Sequence, residues 1–180
     1  MKLFSFPFDS LDFYCKPDTA LAKPTDDFYL PPVCAGVSFA VCYAIKINRL
    51  GRHIEPRFAH RYYSETNVGV CLYGHPAQTG EATYSFPWLP GTVLDYSLSM
   101  PRTFMEKGQP ECITLALDNS PERVFQLPNA QRLEEALAYV SQFVYLKMGD
   151  MVLLELHKPI PISPGNHLVI NHGLLDFYIK

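Results

Sequence analysis

The sequence is poor in charged residues and has no long apolar run. Charged residues make up 18% of the 180 residues, and the formal net charge is -3. Lysine and arginine form no run and do not alternate with aromatic residues, so the chain has no electrostatic footprint for nucleic acid. No stretch approaches the roughly 18 consecutive apolar residues of a membrane-spanning helix. The sequence therefore predicts neither a nucleic-acid partner nor a membrane partner.

The beginning of the chain also lacks the marks of a signal peptide. Asp9 and Asp12 interrupt the first apolar stretch, and no small-residue cleavage site follows it. The five cysteines are odd in number and include no C-x-x-C pair, which favours reduced thiols packed as small hydrophobic residues. Both features predict a cytoplasmic protein.

Common catalytic and metal-binding motifs are missing as well. None of the six histidines has H-x-H, H-E-x-x-H or H-x-x-E-H spacing, and there is no G-x-S-x-G, Gly-rich phosphate loop or dinucleotide fingerprint. Cys42 and Cys71 each lie in an apolar run typical of a strand, and they could approach each other if these strands were neighbours. The pair then has two interpretations, as small core residues or as thiolates that hold a soft metal.

Apolar residues are abundant and follow the pattern of strands more often than that of helices. They make up 48% of the chain, enough for one domain over residues 1–180 with a sizeable core. Prolines predict extended segments and turns over residues 1–35 and a loop over 83–107. Strands are predicted over residues 37–47, 68–73, 112–117, 151–156, 167–171 and 175–179. The fold class is therefore β-dominated, a mixed α+β chain with a curled sheet or a sandwich.

Two helices are predicted. An apolar stripe from Leu133 to Val144, after a good N-cap at Asn129, predicts the longest helix over 131–145, which Gly149–Asp150 should end. Pro56, at a favourable first helical position, predicts a short helix over 56–65.

Four segments, in order along the chain, together form a family pattern. They are Lys16–Leu21 (KPDTAL), Lys46–Ile54 followed by Phe58–Tyr63, Tyr139–Phe143 through Leu146–Asp150, and Leu174–Lys180. The first is similar to K-P-x-[ST]-A-L, and the third to Y-I-S-x-x-x-x-L-x-x-G-D. The series resembles the fumarylacetoacetate hydrolase family in its small single-domain form, with residues 1–15 as a shortened N-terminal segment. The resemblance implies a curled β-sheet, or β-roll, with one main helix and one short helix.

The resemblance also implies a metal-assisted reaction for which this chain lacks the usual residues. Family members hold Mg²⁺ or Mn²⁺ with carboxylates, but the positions of their E-x-E pair and aspartate hold Ala40, Cys42 and Cys71 here. The histidine and glutamate that activate water in the family have no counterpart in residues 1–15. Tyr84 replaces the lysine of K-G-x-P-W, and Leu154–His157 replaces T-G-T-P. We therefore predict a degenerate site with no metal cofactor.

These losses predict a non-catalytic member of the family, a pseudoenzyme with a binding or scaffolding role. The resemblance to single-domain members also implies a homodimer, and an aromatic share of 13% in a chain of low charge agrees with it. The alternative is a residual hydrolase, isomerase or decarboxylase that acts on a small oxo-acid similar to fumarylacetoacetate or 2-hydroxyhepta-2,4-diene-1,7-dioate. Its candidate pocket residues, each of which could instead be a surface or turn residue, are Lys16, Asp18, Tyr84, Asp95 and His157.

Overall fold

In the computed structural model of the chain, residues 1–77, 88–118 and 120–180 are described. The helices are α1 (Pro56–Ala59), α2 (Leu89–Thr92) and α3 (Ala130–Phe143). The strands are β1 (Leu3–Phe6), β2 (Tyr14–Lys16), β3 (Leu21–Ala22), β4 (Cys34–Ile47), β5 (Tyr63–Pro76), β6 (Leu98–Ser99), β7 (Met105–Glu106), β8 (Cys112–Leu117), β9 (Arg123–Gln126), β10 (Met151–Glu155), β11 (Ile160–Ile162), β12 (His167–Ile170) and β13 (Leu175–Tyr178). In these described residues, no helix is long and apolar enough to cross a membrane.

The strands of the described residues form two sheets. The larger has the order β2-β1-β10-β4-β5-β6-β3, with β11 also paired to β4 and β7 to β5. The smaller has the order β13-β12-β8-β9. Strands β4 and β5 pair antiparallel over most of their length, and their register places Ala40 opposite Cys71 and Cys42 opposite Gly69. The prediction of a β-dominated fold with a curled sheet is confirmed.

The two faces of β4 divide the interior into two cores. Val41, Tyr43 and Ile45 point to one face and pack in the larger core, which also contains the apolar side of α3. Ala40 and Cys42 point to the other face and belong to a second, smaller core. Both faces of β4 are buried, which explains why its sequence is almost continuously apolar and does not alternate with polar residues. The candidate site lies in the second core.

Helix α3 is the longest helix of the described residues, which agrees with the prediction. Its N-cap is Asn129, whose side-chain oxygen accepts a hydrogen bond from the Arg132 N–H at 2.8 Å. The helix ends at Phe143, earlier than expected. Gly149 does not end the helix. With a φ of 88°, it forms the turn that leads into β10.

Other boundaries also differ from the sequence prediction. The helix expected over 56–65 is wrong beyond Ala59, because Tyr63 begins β5 and pairs with Ile47 of β4. The loop expected over 83–107 contains α2, β6 and β7 in the part that is described, residues 88–107. Strands β9 and β11 were not predicted. For the start of β5 and for β6, β7 and β11, pairing with a strand distant in sequence overrides local propensity.

Candidate functional site

Three positions of the second core define the site. Ala40 and Cys42 project from β4 and Cys71 from β5, and all three side chains are fully buried. The thiols of Cys42 and Cys71 lie close enough for each to shift the pKa of the other, so the strands bring together the two cysteines that the sequence singled out. Gly69 makes room for this contact, because a Cβ atom at that position would lie 3.1 Å from Cys42 Sγ.

A buried lysine adjoins the thiol pair. The side chain of Lys16 extends from β2 into the interior, where Nζ donates hydrogen bonds to the Thr92 carbonyl (2.6 Å), Ser97 Oγ (2.9 Å) and the Leu72 carbonyl (3.5 Å). Burial lowers the pKa of the Lys16 ammonium, whereas the negative charges available to Cys71 and Glu155 raise it. Lys16 is thus a buried cation whose hydrogen bonds all go to neutral groups.

Glu155 is the carboxylate of this cluster, and sequence reasoning missed it. It lies at the end of β10, directly opposite Cys42 in the register of β4 and β10. Its Oε1 accepts hydrogen bonds from Tyr14 Oη (3.0 Å), Ser5 Oγ (3.2 Å) and Tyr73 Oη. Its Oε2 is buried without a hydrogen-bond partner. Burial raises the pKa of the Glu155 carboxyl well above its usual range, and the charge of Cys71 raises it further.

The acidity of the two thiols is unequal. The hydrogen bond from Cys42 lowers the pKa of Cys71 to about 7, and the Lys16 charge and Ser5 act in the same direction against the effect of burial. The same hydrogen bond and burial raise the pKa of Cys42. Cys42 therefore keeps its proton while Cys71 is the first thiol to ionise.

A cavity of about 670 Å³ adjoins the cluster at Tyr14. Its apolar wall contains Phe8, Phe13 and Leu89, together with several prolines. The size and the mainly apolar lining are typical of a small-molecule site. Tyr14 belongs to both the cavity wall and the buried cluster, where its hydroxyl lies 2.5 Å from that of Tyr73. The cluster and the cavity are therefore neighbours.

The remaining predicted pocket residues do not join the cluster. Asp18 is exposed, 3.8 Å from the amino terminus, and Asp95 is exposed in a turn before β6. His157 accepts a hydrogen bond from the Val41 backbone N–H at 3.0 Å and stacks on Phe125, away from the second core. Tyr84 lies outside the described residues. Of the five predicted residues, the structure places Lys16 in the cluster.

The residues of the site do not fit the hard divalent cation that the sequence resemblance implies. Ala40 offers no donor atom, and the sulfurs of Cys42 and Cys71 are soft ligands that suit Mg²⁺ and Mn²⁺ poorly. The Glu155 carboxyl is raised in pKa and already accepts three hydrogen bonds at one oxygen. Over residues 1–77, 88–118 and 120–180, no three His, Cys, Asp or Glu side chains are arranged to hold a metal ion.

Comparison with solved structures identifies the fold. A protein from Burkholderia cenocepacia proposed to be a fumarylpyruvate hydrolase is 21% identical, with a TM-score of 0.79 over 100% of this chain and 85% of its own. The fumarylpyruvate hydrolase from Pseudomonas aeruginosa in complex with Mn²⁺ and pyruvate is 16% identical, with a TM-score of 0.74 over 100% and 88%. A Yersinia pestis protein assigned to the fumarylacetoacetate hydrolase family is 17% identical, with a TM-score of 0.73 over 99% and 91%.

No protein-family model matches the chain, and no curated protein sequence matches it. The structural similarity extends over the whole chain, so the chain has the fold of the fumarylacetoacetate hydrolase family. The fold predicted from the four sequence segments is confirmed.

Proposed function

We propose that this chain is a non-catalytic protein of the fumarylacetoacetate hydrolase family that binds a small molecule without a metal ion. The observation that carries the proposal is the chemistry of the second core. Ala40, Cys42 and Cys71 are fully buried there, and the carboxyl of Glu155 is engaged by Ser5 and two tyrosines. The cavity beside Tyr14 supplies a space for the ligand.

Electrostatics supports a site that does not depend on a cation. Carboxylates clustered in a protein interior repel each other and are costly to bury, and a divalent cation offsets both effects. In this chain the second core contains the Lys16 ammonium and a Glu155 carboxyl that favours its neutral form. The described residues therefore leave no cluster of negative charge for a cation to neutralise.

The proposal is tested by thermal unfolding in the presence of metal. A ligand that binds the folded state alone stabilises it by about 2.7 kcal/mol at a hundredfold excess over its dissociation constant. We expect the melting temperature in millimolar Mg²⁺ or Mn²⁺ to equal that in chelator. The matched variant carries Ala40→Glu, Cys42→Glu and Cys71→Asp, and we expect Mn²⁺ to raise its melting temperature. A clear upward shift for the unmodified protein would contradict the proposal.

A second candidate function is that of an enzyme acting on a small oxo-acid, as a hydrolase, isomerase or decarboxylase. The observation in its favour is the group of perturbed ionisable side chains, Tyr14, Cys71 and Glu155, next to a cavity. The test is the absorbance of fumarylpyruvate incubated with the protein, with and without Mn²⁺. We expect no change, and turnover that disappears in Glu155→Gln would replace the first proposal with the second.

We also propose a cytoplasmic location and a homodimer. All five cysteines are free thiols, which suits a reducing compartment. Aromatic side chains on α3 are partly exposed, with Tyr139 and Phe143 packed edge-on to each other and to Phe13. A second subunit would bury such a surface.

A further inference from the structure

The larger sheet has an irregular segment where β10 ends and β11 begins. Strand β10 pairs with β4 as far as Glu155, which lies opposite Cys42, and β11 resumes the pairing at Ile160, opposite Phe39. Residues 156–159 therefore lie opposite residues 40–41 alone, so the regular pattern of backbone hydrogen bonds is interrupted. The backbone of β4 needs other hydrogen-bond partners at this point, because it is buried.

The segment supplies both partners of Val41, one of them from a side chain. The Leu156 N–H donates to the Val41 carbonyl at 2.9 Å, and the Val41 N–H donates to His157 Nε2 at 3.0 Å. The other ring nitrogen, Nδ1, lies 2.7 Å from the Lys158 carbonyl. The imidazole of His157 thus takes the place that a backbone carbonyl has in a regular ladder, and it connects this segment to the central strand.

The two partners of the ring determine which nitrogen carries a proton. A carbonyl can only accept a hydrogen bond, so Nδ1 is protonated, and a backbone N–H can only donate, so Nε2 is unprotonated. A proton on Nε2 would place two donors against each other and leave the buried N–H of Val41 without an acceptor. The hydrogen bond between Val41 and His157 therefore requires a neutral imidazole.

Two aromatic residues, one from each sheet, enclose the imidazole. The ring of His157 stacks on Phe125 of β9 with 4.8 Å between the ring centroids, and it meets Phe39 of β4 edge-on at 5.7 Å. Strand β9 belongs to the smaller sheet and β4 to the larger. The contact is therefore a packed junction between the two sheets as well as a hydrogen bond.

The charges around the imidazole disfavour its protonated form. Arg123 of β9 and Lys158, the next residue in the chain, are both cations, whereas Glu155 lies in the second core, where its carboxyl accepts hydrogen bonds. Burial lowers the pKa of His157 and the Arg123 charge lowers it further, while the hydrogen bond to the Lys158 carbonyl raises it. Burial and charge thus favour the neutral imidazole that the hydrogen bond to β4 requires.

We propose that His157 is a pH-sensitive switch that holds one wall of the cavity beside Tyr14 against β4 while its imidazole is neutral. That wall contains Lys158, Pro159 and Pro161, which follow the histidine in the chain. The hydrogen bond to β4 is fully present above the ordinary histidine pKa of about 6.5 and is lost progressively as the pH falls below it. Acidic pH should therefore release the wall, whatever ligand the cavity binds.

The test is hydrogen exchange of single backbone amides, followed by NMR at pH 7.5, 6.5 and 5.5 and corrected for the intrinsic exchange rate at each pH. Protection of the Val41 amide should fall by up to about tenfold from pH 7.5 to pH 5.5, because the released imidazole binds a proton that the bonded one excludes. At pH 5.5 Val41 should also be less protected than Ile45, which lies within the ladder of β10, β4 and β5, because release of the wall is a local opening.

Three variants separate the hydrogen bond from its pH dependence. His157→Gln keeps an acceptor near the place of Nε2 but does not titrate in this range, so protection of Val41 should be the same at all three pH values. His157→Leu removes the acceptor, and protection should be low throughout. His60→Gln, at an exposed position, is the matched control and should behave like the unmodified protein.

Three results would overturn the switch. The first is protection of Val41 that does not change with pH in the unmodified protein. The second is the same pH dependence in His157→Gln as in the unmodified protein, and the third is equal protection of Val41 and Ile45 at pH 5.5. The outcome does not depend on whether His157→Leu folds, because His157→Gln alone distinguishes a titrating contact from a purely structural one.

Discussion

Replacement of Glu155 by glutamine tests whether a buried carboxyl holds a proton in the native state. Burial raises the pKa of Glu155, while a glutamate in the unfolded chain loses its proton near pH 4.3. Between these two pKa values the native protein keeps a proton that the unfolded chain has released. Unfolding then releases a proton, and the free energy of unfolding falls as the pH rises.

The size of the effect follows from proton linkage. For each pH unit within this window, the group lowers the free energy of unfolding by about 1.4 kcal/mol. Glutamine cannot ionise and resembles the protonated carboxyl in shape, so Glu155→Gln should lose this pH dependence. Its amide oxygen can still accept the three hydrogen bonds that Oε1 of Glu155 accepts. Its amide nitrogen would occupy the place of Oε2, which is buried without a hydrogen-bond partner, and this costs about 1 to 3 kcal/mol.

Urea unfolding at pH 5, 6 and 7 measures the difference between variant and unmodified protein. We expect Glu155→Gln to be the less stable protein at pH 5 and to gain relative stability with each unit of pH. Glu111→Gln, at an exposed position, is the control and should show no such trend. The result would refute a protonated Glu155 if the difference in free energy of unfolding between the two proteins stayed constant over this range. It would do so as well if the unmodified protein gained stability relative to Glu155→Gln as the pH rises.

Three further predictions concern the same fold. Lys16→Met should destabilise the protein by about 1 to 3 kcal/mol in urea unfolding, because it leaves the buried acceptors at Thr92 and Ser97 unpaired; unchanged or increased stability would contradict the network. In the same assay, Asn129→Ala should lower the free energy of unfolding by about 1 kcal/mol, because it removes the N-cap of α3. Asn129→Asp should keep most of the stability of the unmodified protein, because aspartate is also a good N-cap. Light scattering at micromolar concentration should give the mass of a dimer, and a monomer would contradict the proposed assembly.

Much of the fold could be predicted because its main elements have strong local patterns. The stripe from Leu133 to Val140 and the cap at Asn129 identify α3, and the apolar run of β4 identifies the central strand. The start of β5 could not be found in the same way. Tyr63 follows a short helix after three intervening residues, and its strand conformation comes from pairing with Ile47, which is a contact distant in sequence.

The candidate site was predictable in part for the same reason. Alternation along β10 places Met151, Leu153 and Glu155 on one face, so this pattern could have indicated that Glu155 points into the second core. The neighbours of Glu155 were not predictable. The register of β10 against β4 sets Glu155 opposite Cys42, and Tyr14 and Ser5 approach from two other strands. Local sequence contains no information on these distances.

The second core contains one buried cation, Lys16, and several side chains that can become anions and that differ in pKa. Lys16 favours ionisation of a nearby acid, although burial lowers its own pKa, while the pKa values of Glu155 and Cys42 are raised, which favours their neutral forms. Cys71, with a pKa of about 7, is the thiol that ionises first beside Lys16. A second anion would have to form against the charge of the first, without another cation in the cluster to stabilise it. The core therefore reaches approximate neutrality with its own side chains, and its fully buried packing is compatible with a fold that needs no bound metal.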